Sequence, residues 1–345
     1  MINQSVANNC IAATSEEPLQ PKLSIVVVNY NYGHFLPVTI ASCLAQSYTN
    51  MEIIVVDDGS TDTSKDIILG FGDQIISVLR HNRGHAAALN AGFAASSGDI
   101  VCLLDADDLF LPERAERVAE LFASDPKVGW VFTESAPMQS EEITLAKLDT
   151  VFAKARVAKK AHETQQVDFR SEIRAGKLPD FAPSTSNLCF SRTVLEALFP
   201  LPEIKGFSGI AITDIYIRNV AVSLSAGCVT TENLGVYRFH NNYYKSLDTD
   251  KKRRVFGEIY TTTGYWLRKN FPDLAKVSQK FLAKGIATFK SGQHSGLAEK
   301  ILKNTDADCE QMLRCYVENS GLFEKIKLYV LIRFYQLKLM YRDLV

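Results

Sequence analysis

The sequence predicts an α/β fold, with a Rossmann-like, mainly parallel sheet flanked by helices and a helical C-terminal extension. Three observations predict it. Short β-branched apolar runs recur early in the chain, helical patterns alternate with them, and each run gives way to a polar cluster. Near-continuous apolar strands suit a parallel sheet covered on both faces, and strand–helix alternation builds βαβ units.

The strands are read at Leu23-Ser-Ile-Val-Val-Val28, Met51-Glu-Ile-Ile-Val-Val56, Ile75-Ile-Ser-Val-Leu79 and Asp99-Ile-Val-Cys-Leu-Leu104. Between them, residues 34–46 carry Phe35, Ile40 and Leu44 toward one side of a helix, and residues 62–70 follow a turn signal. Residues 84–96 are Ala-rich behind Gly84, and residues 112–124 open on Pro112, a residue suited to a helix's first turn. Residues 1–21 are polar and read as a flexible lead-in. Residues 22–135 then form a nucleotide-binding half and 136–250 the other half of the same domain, with 136–180 a weakly periodic, mobile excursion. Residues 251–345 are helical in pattern.

The 345 residues include 38 basic and 39 acidic side chains, a net charge of −1, so no global basic surface points to nucleic acid. The seven cysteines are odd in number and form no Cys-x-x-Cys pair. That pattern is neither a disulfide framework nor a zinc site, and it fits a reducing compartment, the cytoplasm. Cys102 reads as a small core residue. The N-terminus lacks the pattern of a signal peptide, and no apolar run reaches the roughly 18 residues of a spanning helix.

In doubly wound sheets, ligands bind beyond the carboxyl ends of the strands. The clusters there are Asn29-Tyr-Asn-Tyr-Gly33, Asp57-Asp-Gly-Ser-Thr-Asp62, His81-Asn-Arg-Gly84 and Asp105-Ala-Asp-Asp108. Asp105 and Asp107 aim two hard oxygen ligands at one place, as Mn²⁺ or Mg²⁺ requires, and such an ion neutralises a departing diphosphate. The alternative is a solvated acidic turn, with Asp108 capping the following helix. Asp57, Asp58 and the turn at Gly59 can grip a base or ribose, or form a strand-to-helix turn capped by Ser60 or Asp62. The order Asp58-Gly-Ser-Thr-Asp62 does not fit a haloacid-type phosphatase. Residues 29–34 lack the Gly-x-Gly-x-x-Gly of a dinucleotide fold.

The succession Ser24-Ile-Val-Val-Val-Asn-Tyr-Asn31, Val55-Val-Asp-Asp-Gly-Ser-Thr-Asp62, Asn82-Arg-Gly84 with Asn90-Ala-Gly92, and Leu104-Asp-Ala-Asp-Asp108 resembles the family-2 glycosyltransferases. The likeness covers about residues 22–125 and continues more weakly to about 246. It implies an A-type glycosyltransferase fold, a nucleoside-diphosphate sugar donor (often a uridine one), and inversion at the anomeric carbon. Tyr30 then corresponds to the aromatic that stacks on the base, and Asp58, with Asp57 beside it, to the acid that reads the base edge. Arg83 sits where a basic residue approaches the donor. Asp105 corresponds to the ribose-side acid and Asp107 to the metal ligand. Without the resemblance, Tyr30 reads as a packed aromatic and Arg83 as a surface charge.

Inversion needs a base for the acceptor hydroxyl. The family places a Glu-Asp pair just ahead of a helix that Asp214-Ile-Tyr-Ile-Arg218 matches, but the pair would fall at Ala211 and Ile212. Asp214 is therefore the candidate base. Its alternative is an N-cap or an ion pair with Arg218. Tyr237-Arg-Phe-His240, with Asn241, Asn242 and Ser246, resembles the segment that closes over the diphosphate. There Arg238 or His240 contacts phosphate, and His240 can reach the metal. The run from Phe323 to Val345 carries Lys327, Lys338 and Arg342 roughly on one side. It either lies on an anionic membrane surface or packs on the catalytic domain or a second subunit. The expected acceptor is a cell-surface glycan or a lipid-linked one. The rivals are a non-catalytic nucleotide-sugar or glycan-binding relative and a nucleotidyltransferase; the latter would want a basic, Gly-rich loop where Tyr30–His34 stands.

Overall fold

The four apolar runs become four parallel strands. The computed structural model describes residues 20–158, 162–204, 211–240, 248–291 and 307–342. In it β1 (Leu23–Asn29), β2 (Met51–Asp57), β3 (Ile76–Leu79) and β4 (Ile100–Asp105) lie in the order β3-β2-β1-β4. They are linked by α1 (Leu36–Leu44), α2 (Ser64–Gly70) and α3 (His85–Ala95), and α4 (Arg114–Ala123) follows. All seven residues of β1 are buried because both faces are covered. Ile25 and Val27 pack with Leu36 and Ile40 of α1, and Val26 and Val28 with Ala88 and Leu89 of α3. This is the period-2 alternation of a strand serving two cores. Cys102 is buried among them, and Cys43, Cys102, Cys189, Cys228 and Cys315 are all free thiols.

The Ala-rich character of α3 lets it lie close to the sheet. A Cβ at Gly92 would stand 2.3 Å from Cγ1 of Val26, closer than any real packing allows. Gly92→Ala is therefore expected to destabilise the fold by about 1–3 kcal/mol through overpacking. A lower urea midpoint at unchanged slope is the readout.

Beyond β4 the sheet is mixed, which refines the mainly parallel expectation. β5 (Leu109–Phe110), β6 (Val128–Gln139), β7 (Thr164–Val167), β8 (Leu188–Ser191) and β9 (Ala226–Phe239) complete it in the order β4-β8-β6-β9-β5, with β7 on β9. β8 runs antiparallel to both β4 and β6, so the tight turn Thr185–Asn187 that precedes it arrives at the carboxyl end of β4. β6 and β9 are parallel, and β9 reaches the same end of the sheet with its Tyr237–Phe239 tail.

The segment expected as a mobile excursion is instead built into the fold. β6 pairs with β9 as far as Gln139, and α5 (Leu148–Val157) buries Val151, Phe152 and Ala155 against Leu109, Met138 and Val236. Its short elements, which include α6 (Arg170–Arg174), each bury too few residues to show a long period. Pro112 lies just ahead of α4 and not in its first turn, and its carbonyl accepts from the Ser47 N–H.

After α7 (Arg192–Leu198), a π-helical turn Ala211–Tyr216 runs into α8 (Ile217–Leu224). The C-terminal region is helical as expected, with α9 (Thr249–Asn270), α10 (Ala275–Ser291), α11 (Ala307–Glu318) and α12 (Leu322–Arg342). Among the described residues no helix is long and apolar enough to cross a membrane.

Candidate active site

The loops after β1 and β2 are tied together. Asn29 is fully buried, and its amide donates to Asp57 Oδ1 (2.7 Å) and Ser60 Oγ (3.1 Å). Asn31 takes the left-handed φ of 59° that Asn tolerates, and its Oδ1 accepts from Thr61 N–H at 2.8 Å. Anchored on both sides, the backbone leaves the Tyr30 ring 47% exposed. Asp57 also accepts from Ser60 N–H (2.9 Å), so its carboxylate belongs to this turn. Asp62 accepts from Ser64 N–H at the start of α2 (3.0 Å) and from Gly33 N–H (2.9 Å); Ser60 does not cap that helix.

Asp58 is buried. It accepts from the backbone N–H groups of Arg83 (3.2 Å) and Gly84 (2.7 Å), and Arg80 Nε lies 3.4 Å away. It thus fixes the loop entering α3. That loop passes so close that a Cβ at Gly59 would stand 2.6 Å from Asn82 N, where φ is +75°. Arg83 extends outward and pairs with Glu203 at 2.5 Å.

The acidic turn lies next door. Asp105 ends β4, its N–H donating to Ser186 Oγ at 3.1 Å, and Asp108 N–H closes the turn onto the Asp105 carbonyl. The tail of β9 clamps this turn. Arg238 N–H donates to Asp108 Oδ1 (3.0 Å), and Arg238 Nε donates to the Asp107 carbonyl (2.6 Å). Asp108 therefore does not cap α4, contrary to the cap expected from sequence; it is buried, with Arg238 N–H on its carboxyl. Burial and the charges of Asp107 and Asp105 push its carboxyl well above the usual range. Arg238 is likewise buried, its guanidinium 4.3 Å over the Phe35 ring. Burial lowers its pKa.

The same clamp brings His240 to Asp107, with Nε2 2.7 Å from Oδ2. Phe35 and Tyr32 hold the imidazole, with ring centroids 5.1 and 5.5 Å from it. Burial and the nearby Asp107 and Asp105 push the Tyr32 hydroxyl up to about 12. Carboxylate oxygens of Asp105, Asp107 and Asp108 lie within 4.8 Å of one another. Hard oxygens with an imidazole alongside are a donor set that suits Mn²⁺ or Mg²⁺. Asn241, Asn242 and Ser246 lie outside the described residues.

Asp214 sits half-buried in the π-helical turn, a backbone form common at functional sites. It accepts a hydrogen bond from the Thr185 hydroxyl. Burial pushes its carboxyl up, and the Asp105 charge adds to this; the Thr185 bond, His85 and Arg218 pull the other way. Ala211 and Ile212, where the resemblance would place an acid pair, are fully buried core residues.

The sequence reading missed two partners. His85, the first residue of α3, puts Nε2 3.2 Å from Asp105 Oδ1. Burial pulls its pKa down, but the Asp105 contact and the charges of Asp214 and Asp107 raise it overall. Its signal was a polar residue directly after Arg83-Gly84, at the end of an apolar strand's loop. Thr185 had none. Its turn is held by the fully buried Arg114, which donates to the Ser186 carbonyl (2.9 Å) and to Thr133 Oγ1 (2.7 Å).

Residues 24–199 match the model of glycosyl transferase family 2. An uncharacterized glycosyltransferase of Nostoc sp. is 35% identical over 245 residues, 68% of this chain and 70% of that one. The chain belongs to glycosyl transferase family 2. The poly-β-1,6-N-acetyl-D-glucosamine synthase of Staphylococcus aureus is 33% identical to this family-2 glycosyltransferase over 132 residues, 37% of this chain and 32% of the relative. An uncharacterized glycosyltransferase of Rickettsia typhi is 41% identical over 96 residues, 28% of this chain and 30% of the relative. The match thus spans about a third of the length of those two relatives. Among solved structures, S. aureus TarS 1–349 in complex with UDP-GlcNAc superposes with a TM-score of 0.51 at 16% identity, over 85% of this chain and 79% of that one. That likeness shows the A-type glycosyltransferase fold. The family match ends at residue 199, ahead of Asp214, Arg238 and His240.

Proposed function

We propose that this glycosyltransferase moves a sugar, with inversion, from a nucleoside-diphosphate sugar to an acceptor hydroxyl in cell-surface glycan synthesis. The donor is a uridine one. The observation that carries the proposal is the convergence of Asp105, Asp107, His240, His85 and Asp214 at the carboxyl end of β4. TarS, solved with UDP-GlcNAc and with UDP, supports the uridine donor.

In this reading residues 22–135 bind the donor and 136–250 the acceptor, a glycan or a lipid-linked one, in the cytoplasm. Tyr30 offers an exposed ring to the base. Asp57 and Asp58 hold the two loops that border it, and Arg83 approaches the donor from the loop before α3. Asp107 and His240 would hold Mn²⁺ or Mg²⁺, with Asp105 on the ribose side. When bound, the ion neutralises charge on the departing diphosphate. Asp214 receives the acceptor hydroxyl's proton as that oxygen bonds to the anomeric carbon and the bond to diphosphate breaks on the opposite face. A carboxylate with a raised pKa is the better base for this step.

Thermal unfolding with UDP and Mn²⁺ tests the donor site. At about 100 times its dissociation constant, a ligand stabilises the fold by about 2.7 kcal/mol. The expected shift needs nucleotide and metal together. No shift with UDP, GDP or dTDP would overturn the assignment. A shift without turnover on any donor would instead identify a non-catalytic binding relative.

A further inference from the structure

The C-terminal helix α12 is apolar on two opposite faces. Leu328, Leu331, Ile332 and Tyr335 form the inner face, packed with Leu282 and Ala283 of α10 and Tyr316 of α11. On the outer face Phe323, Ile326, Tyr329, Val330, Phe334 and Leu337 are 53–68% exposed. Their spacing of three and four residues lines them along one side of the helix. A contiguous apolar stripe of this size on a surface marks a place where something binds.

The charges on α12 indicate what binds. Among its residues, Lys325, Lys327, Arg333, Lys338 and Arg342 oppose the single acid Glu324, in a chain whose net charge is −1. Glu324 is already paired with Arg268 at 3.0 Å. Lys325, Lys327, Arg333 and Lys338 have no acidic partner among the described residues; Lys327 and Arg333 lie over the rings of Phe323 and Tyr329. A second copy docking through this stripe would bring two basic helices together with no free acid on either to pair them. An anionic lipid surface accepts both features. The apolar side chains enter the headgroup boundary, and the long basic side chains reach the headgroups.

We propose that α12 docks this protein on an anionic membrane surface, lying in the interface plane. The proposal does not rest on the donor-site reading. It gives the enzyme access to acceptors held at a membrane.

The test is cosedimentation of the full chain with vesicles of phosphatidylcholine alone and with about a third phosphatidylglycerol, at low and high salt. The expected result is binding to the anionic vesicles only, weakening as salt rises. Lys327→Ala with Lys338→Ala should weaken partitioning about thirtyfold. Val330→Glu with Phe334→Glu should abolish it. Both pairs change outward-facing residues, so the melting temperature and its response to UDP with Mn²⁺ should match those of wild type. Wild-type protein that stays in solution with anionic vesicles would overturn the proposal. So would a wild-type dimer in solution that Val330→Glu with Phe334→Glu converts to monomer, since a second copy would then be the occupant.

Discussion

Asp107→Asn is expected to abolish stabilisation by Mn²⁺ and to lower sugar transfer about a thousandfold while leaving the unliganded fold intact. The substitution replaces a charged oxygen donor with a neutral amide in the middle of the acidic turn. A divalent ion's contribution to a departing diphosphate is worth several kcal/mol, and about 4 kcal/mol corresponds to three orders of magnitude in rate. The fold should not suffer, because Arg238 clamps the turn through the Asp107 carbonyl and the Asp108 carboxyl, and an Asn at 107 keeps an oxygen for His240. Three measurements read the outcome: unliganded melting temperature, the Mn²⁺-dependent shift, and transfer from a UDP-sugar. A variant that melted like wild type and kept both its Mn²⁺ response and its rate would remove Asp107 from the site. A variant that lost unliganded stability would show that the carboxylate supports the turn itself.

The fold of the first hundred residues was legible because β1, β2 and β4 are buried on both faces, while β3 is an exposed edge strand. A fully buried strand writes itself as an uninterrupted apolar run, and the runs at Leu23, Met51 and Ile100 end within a residue of the observed strands. The polar clusters followed from the same logic, since a doubly wound sheet puts its loops at one end. The parts that were not legible depend on chain segments far apart in sequence. Thr185 meets Asp214 only because β8 inserts antiparallel beside β4, and nothing in the local pattern of residues 184–191 announces that pairing. Asp108 looked like a helix cap because it stands shortly before α4. Arg238, 130 residues away, buries it instead. The stacking of Arg238 on Phe35 has no periodic signature. Residues 136–180 looked loose because their burial is divided among short elements that pack into two separate cores, Val151, Phe152 and Ala155 beside Val236 and Ile173 in the main core with Trp130.

Asp214→Asn separates a catalytic base from a structural carboxylate, because the two roles predict opposite changes in stability. Burial raises the Asp214 carboxyl above its unfolded value. A carboxyl raised in this way costs stability as pH rises from the unfolded pKa through the folded one, and the cost stays in full above that window. Removing the charge should therefore leave the protein as stable as wild type or more so at neutral pH, with the advantage vanishing in acid. Asn also keeps an oxygen to accept from Thr185. An N-cap or an ion pair with Arg218 predicts the reverse, a loss of stability at neutral pH. Transfer should fall by about 10²–10⁴-fold, the range for losing a general base, with binding of the nucleotide retained. In wild type, the acid limb of kcat/KM against pH should lie above the ordinary aspartate range of about 3.9, and the variant should lack that limb. Unchanged turnover, or a variant that is less stable at pH 7 and unaltered in its pH profile, would return Asp214 to a structural role. The acceptor's proton would then need another destination, and His85, held 3.2 Å from Asp105 at the start of α3, is the next titratable group facing the same space.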